Sequence, residues 1–172
     1  MNILEIFINS IQLILSLDPE LWDIIILSLF VSFTALIIAS ILGFLIGYYL
    51  ALYNFFLKKI LLVLLNSLMG IPPVVVGLIV YFIFASGGPL GVLQLLYTPS
   101  AMIIAQTIII FPIIVSLSHE IFSKNWFEFK DQIRSLNIPF LGSAKLLFIH
   151  SYFLLITTIL SAFGRAISEV GA

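Results

Sequence analysis

Charge is what this sequence has least of. Of its 172 residues, 9% are Asp, Glu, Lys or Arg, against roughly 25% in an average soluble domain. At the same time 62% are hydrophobic. That much apolar surface cannot be hidden inside one small globule, so the composition is that of an integral membrane protein. Cysteine is absent, which excludes disulfides and thiolate metal sites. The two histidines, His119 and His150, stand far apart in the sequence with few carboxylates near them, so neither a metal nor a cofactor is expected. Seven basic and eight acidic residues leave a net charge of -1. Nucleic acid binding needs a concentrated basic face, and none is present. No GxxxxGK[ST], dinucleotide fingerprint, HExxH or GxSxG occurs, so the chain carries no phosphate-cradling loop and no visible enzyme site.

Lys and Arg are also missing before Lys58. "MNILEIFINSIQLILSL" therefore lacks the basic n-region of a signal peptide. Its polar residues Asn2, Glu5, Asn9, Gln12 and Ser16 step by three and four, which draws one polar stripe on a helix. The expectation is an amphipathic helix in the membrane interface; the alternative is the start of a span. "DPELWD" (18–23) brings acidic residues and a boundary Trp.

What is there, from this point on, is long apolar runs. Ile24 to Leu57 contains no charge and exceeds the ~20 residues a span needs. Ala35, Ala39, Gly43 and Gly47 recur every fourth position, a spacing that lets a second helix approach closely. A second span is expected over about Ile60 to Phe84, a third over about Ala101 to Ser118, and a fourth from near Leu146 to the C-terminus. Between them, "SGGPLGVLQLLYTPS" (86–100) reads as an uncharged loop with a short interfacial or re-entrant turn. Six of the seven basic residues fall in the two loops that begin at Lys58 and at His119. By the positive-inside rule those loops are cytoplasmic and the N-terminus is outside, in a multi-pass plasma (inner) membrane protein. The chain reads as a single transmembrane domain, 1–172, all-α and polytopic.

Three features invite a functional reading. "GIPPVVVGL" sets Pro72 and Pro73 in the second span, between Gly70 and Gly77. Prolines free backbone carbonyls, which membranes tolerate only where protein or a water-filled cavity satisfies them. Gly70, Pro72, Pro73 and Gly77 are therefore candidates for lining a translocation route, with backbone approaching backbone at the glycines; the alternative is a kink used only for packing. "FGRAISEVGA" places Arg165 and Glu169 one helical turn apart, with Ser168 beside them. Each charge alone would cost about 2.5–3.5 kcal/mol at a helix centre. Either the two neutralise each other near the helix end, or they face the bundle interior and line a pathway. Finally, "KDQIRSLN" has helix-forming composition and stops at Asn137, which tolerates the left-handed conformation. Pro139 follows, and Ser143 is placed to cap the next helix. The loop at about 119–145 thus reads as helix, sharp turn, helix: an interfacial segment or a docking element for a soluble partner.

That loop resembles the coupling loop of ABC importer permeases. Asp131, Gln132 and Ile133 fall on the EAA positions of the family pattern, Asn137 on its glycine, and Leu147 to His150 on its I-x-L-P. Asp keeps the acidic charge and Asn keeps the turn. "DPELWDIIILSLFVS", "GIPPVVVGLIVYFIFASGGPLG", "YTPSAMIIAQTIIIFPII" and "SAFGRAISEVGA" are similar to segments of the tungstate-type permeases, which are related to molybdate permeases. The resemblance implies a homodimeric channel in the lipid bilayer, cytoplasmic ATPase subunits docked through Asp131, Arg134, Ser135 and Asn137, and an external oxyanion-binding protein. ATP hydrolysis would reside on the partner, so the chain is expected to be no enzyme. It implies a substrate, tungstate, with molybdate, sulfate or another anion as alternatives. The family's five-helix core has one helix more than the four spans read here. The expectation is a C-terminally truncated permease, and the rival from another class is a non-transport membrane scaffold or inactive remnant.

Overall fold

The structure, a computed structural model, describes residues 19–168. Helix α1 runs Pro19–Leu52, α2 Lys58–Leu68, α3 Pro73–Phe84, α4 Pro99–Ser135 and α5 Phe140–Ser168. A short 3-10 turn, Gly91–Leu93, lies in the loop between α3 and α4. The expected interfacial helix at the N-terminus and Glu169 lie outside the described residues. Among the described residues three helices, α1, α4 and α5, are long and apolar enough to cross a membrane, or four spans if the α2–α3 pair counts as one. This is the polytopic, all-helical bundle that the composition dictates.

The small-residue face of α1 does what its spacing predicts. Ala35 and Ala39 are fully buried, and Gly43 and Gly47 are buried beside them. A Cβ built on Gly43 would stand 2.7 Å from Ile114 Cγ2, and one on Gly47 would strike Ser118 Oγ. The two backbones are therefore in near contact, which is how helices associate where lipid supplies no hydrophobic drive. Ala35, Leu36 and Ala39 meet Ile110 and Ile114 of α4 and Ala162 and Ala166 of α5 in one cluster. The other faces of α1 are large and apolar: Ile24, Ile26, Phe30, Phe33, Ile37 and Ile41 are exposed. In a membrane these positions meet lipid or a second protein.

Polar bonds between helices fix the register. Tyr48 Oη of α1 lies 2.9 Å from Ser143 Oγ and donates to Phe140 O at 3.2 Å. Asn125 Nδ2 of α4 donates to Ser151 Oγ of α5, and Gln106 Nε2 donates to Ala166 O at 2.9 Å. Pro112 is tolerated inside α4 and is buried.

Three expectations need correction. The second span is not one kinked helix: α2 and α3 meet at 103° across the Gly70–Pro73 break. The segment after Ser118 is not a separate loop, because α4 continues through the charged residues to Ser135. The 37 residues of α4 make about 55 Å at 1.5 Å per residue, so nearly half of it exceeds a ~30 Å hydrocarbon core. Charged side chains end a span but not a helix, since Glu and Lys are good helix formers. Ser143 does not cap the last helix. That helix begins at Phe140, right after Pro139, and Ser143 is buried inside its first turn against Tyr48.

Candidate translocation groove and coupling corner

The break between α2 and α3 follows from its prolines. Pro72 is extended, with φ -61° and ψ 135°, and Pro73 opens α3 at its first position, where a missing N–H does no harm. The end of α2 tightens instead: Gly70 N–H bonds Ser67 O at 3.1 Å and Ile71 N–H bonds Leu68 O at 3.2 Å. The glycines do not act as expected. A Cβ on Gly70 would only touch Ser67 O at 3.6 Å, and one on Gly77 would meet nothing within 4 Å among the described residues. Among the described residues no other helix approaches either glycine; the one backbone atom near Gly70 is the carbonyl of its own preceding turn.

Gly77 faces open space because it borders a groove of about 690 Å³. The groove lies between α1, α3 and α4, and its walls include Ser28, Val31, Pro73, Gly77, Tyr81 and Gln106. Of the four break residues, Pro73 and Gly77 line it; Gly70 and Pro72 do not. Gln106 escaped the sequence reading. It is 8% exposed. Its Nε2 is committed to Ala166 O, while its Oε1 has no partner among the described residues. Ser32 of α1, in the same buried layer as Ala35, has an unpartnered Oγ as well. The signal for Gln106 was visible: it is the one amide in the uncharged stretch "AMIIAQTIIIFPII", where a polar side chain is costly unless paired or functional.

Arg165 and Ser168 are not brought to the groove wall. Ser168 is exposed and its Oγ donates to Arg165 O at 2.9 Å. Arg165 is half-buried on the last turn of α5. Their tie to the groove is indirect, through the Gln106 bond to the neighbouring Ala166.

At the opposite end of α4, the turn predicted at Asn137 is present. Asn137 has φ 48°. Its N–H bonds Arg134 O at 3.1 Å, and Ile138 N–H bonds Ile133 O at 3.0 Å. Those two bonds are a Schellman closure, which satisfies orphan carbonyls at a helix end and needs a left-handed residue between. Ser135 Oγ donates to Gln132 O at 3.0 Å. Asp131, Arg134, Ser135 and Asn137 are all exposed at this corner, as is Leu136 at 72%. Arg134 and Asn137 also rim a recess of about 690 Å³ whose inner wall is Leu52, Trp126, Ile133, Ile138 and Ser143. The corner is a solvent-facing turn, and the helix that follows it is tied to α1 by Tyr48.

No family model matches the sequence. Individual proteins do. The chain is 39% identical over 170 residues to the tungstate uptake system permease protein TupB of Peptoclostridium acidaminophilum, covering 99% of this chain and 75% of that protein. It is 35% identical over 145 residues to a probable anion ABC transporter permease protein of Haloferax volcanii, covering 84% of this chain and 62% of the relative. A sulfate transport system permease protein, CysW of Escherichia coli, matches at 27% over 104 residues, 57% of this chain and 36% of its own length. An identity of that size held across almost the whole chain, on an all-helical membrane bundle, assigns the family: the chain belongs to the ABC transporter permeases of the tungstate uptake type.

Proposed function

We propose that this chain is the membrane-spanning subunit of an importer that passes a tetrahedral oxyanion, tungstate, across the plasma membrane. The observation that carries the reading is the match over 170 residues to a tungstate uptake permease. The groove gives it a physical route. Pro73 and Gly77 present an irregular backbone and a bare Cα beside Gln106 and Ser28, and irregular backbone at membrane depth belongs where it lines a cavity. Such a wall offers hydroxyl and amide groups without fixed cations, so a dianion is solvated without being trapped. Gly70 and Pro72 shape the bend, and Arg165 and Ser168 stand on the last turn of α5.

The drive comes from outside the chain. Two cytoplasmic ATPase subunits dock on the corner formed by Asp131, Arg134, Ser135 and Asn137, and an external binding protein delivers the anion. The basic residues Lys58 and Lys59 at the start of α2 and those along the last third of α4 favour the cytoplasm for that corner. The exposed apolar faces of α1 and α3 suit a second copy across the route. ATP closure of the partners moves the corner, and α4 carries the motion to the groove.

The test is uptake of radiolabelled tungstate into proteoliposomes holding this chain, its ATPase and its binding protein. ATP-dependent accumulation is expected. Accumulation of sulfate but not tungstate would replace the substrate, a reading that the 27% identity to a sulfate permease favours second. No accumulation of any oxyanion would leave the scaffold reading in its place.

A further inference from the structure

A second recess lies deeper along α4. It is about 390 Å³ and is enclosed by α2 and α4: Asn66 and Met69 on one side, Ser116, His119, Glu120 and Ser123 on the other. Ser116 is 9% exposed, and its Oγ has no partner among the described residues. Ser123 Oγ lies 3.1 Å from His119 Nε2. Lys58, at the start of α2, acts electrostatically on His119.

The recess shares a helix face with the groove. Ala105, Ile109, Pro112, Ser116, His119 and Ser123 follow one another at steps of four and three, which is one stripe of a 3.6-residue helix. Ala105 and Ile109 line the groove. Ile109 and Pro112 line a third, apolar recess with Leu65, Leu68, Ile71 and Val76. Ser116, His119 and Ser123 line the inner one. The stripe is apolar from Ala105 to Pro112 and polar from Ser116 onward, and Gln106 in the groove and His119 are about 20 Å apart along the axis.

We infer that the inner recess is a second binding station for the tetrahedral oxyanion, occupied on the way to the cytoplasm; this rests on the transport reading above. An anion cannot rest in the apolar middle, where nothing compensates its lost hydration. It can rest in the recess that the Ser116 hydroxyl, Asn66 and the Ser123–His119 pair line together. The volume leaves room for several waters at about 30 Å³ each, so the anion enters partly hydrated. Glu120 sits exposed at the rim, and its charge opposes retention. The station is accordingly weak, which suits release rather than capture.

Equilibrium binding of radiolabelled tungstate to the purified permease–ATPase complex, without nucleotide or binding protein, tests this. Saturable binding is expected. The double variant Asn66→Ala with Ser116→Ala should bind about tenfold more weakly, the loss of one or two charge-assisted hydrogen bonds. Thermal unfolding should be unchanged for Ser116→Ala, because it deletes a hydroxyl that has no partner to lose. If the double variant does not assemble, that single variant carries the test, with binding about threefold weaker. Identical isotherms in wild type and variant overturn the inference. So does saturable Mg²⁺ binding in place of tungstate, abolished by the same changes. Wild-type uptake with variant-insensitive binding sinks this station alone; variant-sensitive binding without wild-type uptake sinks the import reading and leaves the station.

Discussion

Gly47 and Gly77 are the same residue type in the same kind of helix, yet their surroundings set opposite demands. A methyl group on Gly47 would run into Ser118 Oγ and stand 3.0 Å from the His119 amide nitrogen. Gly47→Ala should therefore destabilise the folded chain by about 1–3 kcal/mol, the usual effect of overpacking, read as a lower unfolding temperature in detergent. Gly77 has open space, and Ala is the better helix former by about 1 kcal/mol. Gly77→Ala should leave thermal unfolding unchanged or raised while slowing tungstate uptake. Unimpaired uptake would remove Gly77 from the route. Gln106→Leu deletes the bond to Ala166 O and should lower stability by about 1 kcal/mol; an unfolding temperature equal to wild type would mean the bond contributes nothing. The contrast between the two glycines was not readable from the sequence, which predicts close approach at both.

Elements show where local chemistry was sufficient. The corner after α4 was legible because its determinant is a single residue: Asn137 tolerates φ near 48°, and Pro139 forbids the helix to continue. The Schellman bonds at 3.1 and 3.0 Å are the consequence. Asn137→Gly should keep ATPase copurification and transport. Asn137→Val, which is β-branched and pays about 1–2 kcal/mol in the left-handed region, should weaken both. Equal behaviour of the two variants would show that the turn is not what the partner reads. The proline pair gave the position of the break but not its angle. Pro72→Ala with Pro73→Ala should straighten the α2–α3 pair and impair uptake while the complex with the ATPase still assembles. Wild-type uptake by that variant would reject the groove as the route. The length of α4 was misjudged because hydropathy marks where a span ends, and the helix continues past that point on the propensity of Glu, Lys and Gln.

For the whole molecule the decisive quantity is orientation. The absence of cysteine makes it directly measurable, because any introduced thiol is the only one present. A cysteine replacing Tyr97, 85% exposed in the loop between α3 and α4, should react with a membrane-impermeant reagent in intact cells. One replacing Asn137 should react only after permeabilisation. Labelling of position 137 from outside would place the corner beyond reach of any cytoplasmic motor.

The sequence by itself determined the class of the protein, its apolar helices and the turn at Asn137, because each depends on composition or on the conformational limits of one or two residues. Its four-residue small-side-chain spacing also determined which face of α1 is buried. Only the tertiary structure decided that α2 and α3 diverge by 103°, that Gln106 rather than Arg165 reaches the groove wall, and that Ser116 and His119 share a recess with Asn66. Those facts depend on where separate helices come to rest against each other. Burial and unpartnered polar atoms are properties of that meeting, and no single stretch of chain contains them.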